Sequence, residues 1–123
     1  MKIAQINKTE INFNAKVSER FVKSMRGYVN SGSNRLQNNY KLTQKLEEYA
    51  DFGYDNYTVE MVQKSGPLGF EYKLFAVKDG DSIDNGLVLT KASYTSYRKI
   101  FQRFMTLNKH DFNNIMKSRL SNI

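Results

Sequence analysis

Hydrophobic positions change their spacing three times along the chain. From Asn14 they fall at helical intervals: Val17, Phe21, Met25 and Tyr28 share one side, with Val22 and Val29 beside them, and Lys16, Arg20, Lys23 and Arg26 share the other. The stretch "NSGSN" ends this helix, with Gly32 as its terminator. A second helix is expected from a cap at Asn34 to about Asp51, burying Leu36, Leu42, Leu46, Tyr49 and Ala50, with Gly53 just beyond. Then the period drops. "NYTVEMVQK" and "FEYKLFAVK" are rich in aromatic and β-branched residues, and "SGPLG" between them reads as a hairpin turn. "DGDSIDNG" is a loop and "GLVLT" a third strand. Helical spacing returns from about Ser93 to Met105, and after "TLN" a last helix runs from Lys109 to Leu120, with Asn108 and Asp111 as a capping pair. Ahead of all this, "KIAQIN" and "EINF" read as short strands or an ordered arm. Helices, a small antiparallel sheet, then helices make an α+β fold. With no repeat, linker or low-complexity segment, residues 1–123 are expected to form one compact domain.

Composition narrows the setting. A chain of 123 residues with eight Tyr and eight Phe can build its core without staples. The absence of cysteine excludes disulfides and thiolate metal sites and suits a reducing, cytoplasmic compartment. Nothing at the N-terminus reads as a signal peptide, and no run approaches the roughly 18 apolar residues of a membrane span. Lys and Asn occur 13 times each and Pro once, a bias that AT-rich codons produce, so a phage or mobile element of a low-GC host is the expected source.

Charge adds a pattern to the +7 total. Residues 1–45 carry nine Lys and Arg against Glu10 and Glu19, a balance of +7; residues 46–90 carry three Lys against nine acids, −6; residues 91–123 carry seven Lys and Arg against Asp111, +6. Both ends are basic and the middle is acidic.

"SYRKIFQRF", residues 96–104, is the richest local mixture of cations and rings. Turned by about 100° per residue, Tyr94, Tyr97, Ile100, Phe101, Phe104 and Met105 gather in one arc, and Arg98, Lys99, Gln102 and Arg103 in the opposite one. A stacking platform for single strands needs exposed rings; these are expected to be core. The basic arc, joined to Lys16, Arg20, Lys23 and Arg26 if the terminal helices lie side by side, offers a phosphate-binding surface.

The same region permits a helix-turn-helix over residues 94–120. Its second helix would expose His110, Asn113, Asn114 and Lys117 and bury Phe112, Ile115, Met116 and Leu120. Phe101 and Leu107 stand where a small residue and a turn glycine are usual. Asp79, Asp81 and Asp84 fail the calcium-loop pattern, since Ile83 falls at a ligand position. Glu47, Glu48, Asp51 and Asp55 form an acidic helix end. His110, the one histidine, has no partner motif for acid–base work, although a small endoribonuclease toxin would assemble a site from it with Arg98, Arg103 and a tyrosine. No metal or cofactor site is expected. The leading expectation is a non-enzymatic basic protein that docks on a protein or protein–nucleic acid complex, a nucleic-acid-handling machine, and inhibits or modulates it, as an inhibitor of a defence nuclease would. The alternatives are a DNA-binding regulator that uses the helix-turn-helix of residues 94–120 and the small endoribonuclease toxin, and DNA or RNA is a further candidate as direct ligand.

Overall fold

The computed structural model describes residues 16–54 and 56–121. The expected strands within residues 1–13 lie outside that range. In chain order the elements are β1 (Lys16–Val17), α1 (Glu19–Asn30), α2 (Arg35–Ala50), β2 (Tyr57–Gly66), β3 (Gly69–Lys78), a short 3-10 turn (Ile83–Asn85), β4 (Leu87–Val88), α3 (Tyr97–Thr106) and α4 (Lys109–Ser121). The fold is α+β, with helices, sheet and helices in the expected order. The sheet runs β1-β2-β3-β4 and is mixed, not purely antiparallel, because β1 lies parallel to β2.

That parallel strand stands where the sequence reads as the first helical turn. Ser18 is the reason: its hydroxyl accepts from the Phe21 amide at 3.1 Å as an N-cap, and its own amide donates to Val59 at 2.9 Å. Lys16 and Val17 are therefore extended, and α1 begins only at Glu19.

Helix α2 departs from expectation at both ends. Asn34 adopts left-handed backbone (φ 56°, ψ 41°) and its side chain makes no capping bond; it turns the chain between two helices instead. Leu36, expected in the core, is 91% exposed, and Ala50 is also outside. The buried stripe is Leu42, Lys45 and Tyr49. Lys45 enters this stripe by laying its stem along the core while its ammonium reaches Glu48 at 3.1 Å.

The hairpin pairs from Tyr57 with Lys78 to Gly66 with Gly69, leaving Pro67 and Leu68 as the turn. Gly69 has φ +121°, a conformation an L side chain would strain. Val59, Tyr72, Leu74 and Ala76 point into the core. After β4 the chain bends at Thr90–Ala92 and returns to the sheet: Tyr94 exchanges backbone hydrogen bonds with Tyr72 at 2.8 and 2.9 Å, so it belongs to the sheet edge and not to the helix. The N-cap Ser96, whose hydroxyl accepts from the Lys99 amide at 3.2 Å, fixes the true start of α3 at Tyr97.

Rings join the layers. Phe21 of α1 meets Phe104 of α3 edge-on at 5.3 Å, and Tyr49 of α2 sits between Phe104 and Phe112, 4.4 and 6.1 Å from their centroids. Helix α4 buries Phe112 and Met116. Leu120, expected inside, is 36% exposed because the last turn runs past the core. No helix among the described residues is long and apolar enough to cross a membrane.

Candidate nucleic-acid interface

Helices α1 and α3 do lie side by side. Ser24 and Tyr97 share a hydrogen bond of 2.6 Å, and the Tyr28 ring touches those of Tyr97 and Phe101 at 5.0 and 5.1 Å. Three of the four early cations, Lys16 in β1 and Arg20 and Arg26 in α1, nevertheless have partners on other elements. Lys16 pairs with Asp79 at 2.6 Å and Arg20 with Glu60 at 3.5 Å. Arg26 donates to the Asn39 carbonyl, the Asn39 side chain and Thr43 at 3.1, 3.0 and 2.8 Å, tying α1 to α2. Lys23 is exposed. Three of these four cations thus have partners within the fold, although Arg20 itself stays largely exposed, and their chain neighbours do not reveal it because the partners are 13 to 63 residues away.

The arc on α3 is divided between two clefts. Arg103 opens into one of about 640 Å³, formed with Leu89, Lys91, Tyr94, Ile115 and Arg119. Arg98 opens into another of about 580 Å³ on the opposite flank, where Lys41 of α2 joins it. The exposed Lys99 stands on the crest between them. No carboxylate lines either cleft among the described residues.

The first cleft is the stronger concentration of charge. Arg119 donates through Nε to the Val88 carbonyl at 2.8 Å, which fixes the guanidinium plane and leaves its outer N–H groups for a ligand. Arg103 and Arg119 are half-buried, so their charges are less screened than those of a solvated lysine, while Lys91 is exposed at the mouth. Asn114 and Ser118 complete the polar lining. Lys91, Arg119 and Lys41 do not stand out in the sequence as site residues. Lys91 and Arg119 enter there only through the charge total, and nothing short of the folded chain brings them to Arg103.

The residues expected on a recognition helix separate too. Asn113 turns inward: its Oδ1 is buried without a hydrogen-bond partner among the described residues, and its carbonyl accepts from Tyr54 at 3.4 Å. His110, Asn114 and Lys117 remain exposed on α4. Asn114 and His110 hydrogen-bond each other at 3.1 Å. Leu107, in the two-residue link between α3 and α4, is fully buried. With Tyr49 between Phe104 and Phe112, the pair is anchored to α2 and the sheet rather than standing as a free unit.

Asp79 bonds Lys16 and Thr58, and Asp81 accepts from Asn85 and from the Ser82 amide at 2.9 and 2.7 Å, which holds its carboxyl below the usual range. Comparison with protein-family models, curated proteins and solved structures finds no match. Function must be read from the chemistry of the site.

Proposed function

We propose that this is a non-catalytic binding protein that docks on a nucleic-acid-handling machine through the phosphates of its nucleic acid, and thereby inhibits or modulates it. One observation carries the reading: Arg103, Arg119 and Lys91 converge on a cleft without a carboxylate in its lining. Three cations in one concave site hold an anion by charge-assisted hydrogen bonds, and a low-dielectric wall of Leu89, Tyr94 and Ile115 strengthens each of them. The basic crest of α3, Arg98, Lys99 and Arg103, extends the same field toward a long polyanion. Glu47 and Asp51 sit at the far end of α2, outside this lining, where they are open to the protein part of such a complex.

The test is a salt series. Full-length protein is titrated against labelled DNA and RNA, and against nucleoprotein captured from a host lysate. Arg103→Glu and Lys91→Glu should each weaken binding and lower the slope of log K against log salt by about one for every phosphate that is no longer met. A parent protein with no salt-dependent affinity for nucleic acid or nucleoprotein sinks the proposal. A strong preference for one duplex sequence, abolished by changing Asn114 or Lys117, would favour a DNA-binding regulator instead.

A further inference from the structure

The second cleft is chemically different from the first. It is lined by the rings of Tyr28 and Phe101, tilted 51° to each other, by Met105, and by the cations Lys41 and Arg98. Phe21 and Phe104 on the same two helices are 1% and 0% exposed, whereas Tyr28 and Phe101 keep part of their surface open to the cleft. We propose that this cleft receives an unstacked base of a single-stranded nucleic acid whose phosphates lie on the crest of α3. This inference rests on the phosphate-binding reading above and names the form of nucleic acid bound.

The rings and carboxamides of the lining fit a base better than a bare phosphate. Aromatic faces stack on any base, and cations beside them hold the flanking phosphates. The Gln102 carboxamide lines the wall, as does Asn38, which donates to the Ser33 carbonyl at 3.3 Å and keeps its oxygen for another donor. Such groups read base edges. At about 580 Å³ the cleft has room for a base. The wall is also set in advance. Arg26 holds Asn39 and Thr43, and Asn39 in turn donates to Asn30 at 2.7 Å and to the Arg35 carbonyl at 2.9 Å, so the Ser31–Asn34 turn is braced from both helices. A braced wall loses less freedom when a ligand enters.

The two clefts then work together. Arg98 and Arg103 are five residues apart on α3, about 7.5 Å along its axis. A single strand crossing the helix can place a phosphate against Arg103 while a neighbouring base drops beside Arg98. A duplex cannot, because its base faces are covered.

The experiment compares three labelled ligands by fluorescence anisotropy with full-length protein: a thymidine strand of about 12 nucleotides, an abasic strand with the same number of phosphates, and a duplex. The thymidine strand should bind about tenfold more tightly than the abasic one. Phe101→Leu should close that gap while leaving the salt slope unchanged; Arg103→Glu should lower the slope while leaving the gap. A strand carrying 2-aminopurine supplies a readout that needs no variant, since stacking on a ring quenches its emission. Equal affinity for thymidine and abasic strands, a duplex bound as tightly as the single strand, or unquenched 2-aminopurine overturns the inference while leaving the phosphate reading standing. Absence of salt-dependent binding to all three ligands overturns both. Cross-competition by an acidic aromatic peptide but not by nucleotides would assign the cleft to a protein partner and likewise overturn it.

Discussion

The ring of Tyr49 lies flat on that of Phe104, centroids 4.4 Å apart at 11°, and its hydroxyl donates to the backbone carbonyl of Phe104 itself at 3.1 Å. Phe104 is in the last turn of α3, where a carbonyl has no donor from its own helix. One side chain therefore packs the core and caps a helix. Burial pushes the phenol far above its ordinary pKa, so it stays a neutral donor. Tyr49→Phe keeps the stack and orphans the carbonyl, at a cost of about 1–3 kcal/mol in urea unfolding. Tyr49→Ala also opens a cavity and should cost about 3–5 kcal/mol. A phenylalanine variant as stable as the parent would show that this hydrogen bond contributes nothing.

Phe101 and Phe104 separate core from cleft. Phe104→Ala should cost about 3–5 kcal/mol, as for any fully buried ring. Phe101 packs on Tyr28 but keeps surface in water, so Phe101→Ala should cost only about 1–2 kcal/mol. Equal losses in denaturant titrations would mean that the cleft beside Phe101 is closed in solution.

These two residues also mark the limit of sequence reading. A helical wheel gives both to the apolar arc, correctly, because it knows the axis of α3. It cannot know that α1 crosses at Tyr28 and leaves Phe101 at a seam. The same limit explains Leu36, which matches the apolar period of α2 yet has nothing opposite it among the described residues. Elements, their order and most core positions follow from local spacing. The site does not, since Lys41, Lys91 and Arg119 join Arg98 and Arg103 only through tertiary contacts, and the early cations Lys16, Arg20 and Arg26 are claimed by acids and carbonyls distant in sequence.

Stability should fall in alkali. Burial raises the Tyr97 pKa, against which its bond to Ser24 works only in part. The folded state thus favours the neutral phenol more than the unfolded chain does. That contribution is complete below about pH 10 and disappears as pH rises through the higher folded pKa. Thermal melts from pH 8 to 11.5 should show a loss that is smaller in Tyr97→Phe, once its lower starting stability is allowed for. An identical alkaline slope in both proteins would contradict the burial of this hydroxyl.

Arg26 should behave as a structural residue despite its charge. It makes three hydrogen bonds to α2, two of them to Asn39. Arg26→Ala should destabilise by about 1–3 kcal/mol, and Arg26→Lys should recover little, because one ammonium cannot reproduce the forked geometry. Binding to nucleic acid, measured where the variant remains folded, should keep the parent salt slope. A slope reduced by a full unit would make Arg26 a phosphate ligand instead.

Charge reversal tests the division of the two arcs. Changing Arg98, Lys99 and Arg103 to Glu removes the crest and one cation from each cleft, while Ile100 and Phe104 keep the packing of α3. Binding should fall steeply and the salt slope by about three units if each cation meets one phosphate. Changing Lys16, Arg20 and Lys23 to Glu alters net charge by the same amount, so long-range attraction weakens equally in both proteins. Here, however, neither cleft beside α3 is deprived of a cation. Two ion pairs become repulsive, Lys16 with Asp79 and Arg20 with Glu60, and the loss of the exposed Lys16–Asp79 attraction alone costs about 1 kcal/mol or less. The second triple variant should therefore be less stable than the parent yet retain most of its salt slope. Equal reductions of slope in the two variants would show that total charge alone governs binding, and the clefts of α3 would then have no special part in it.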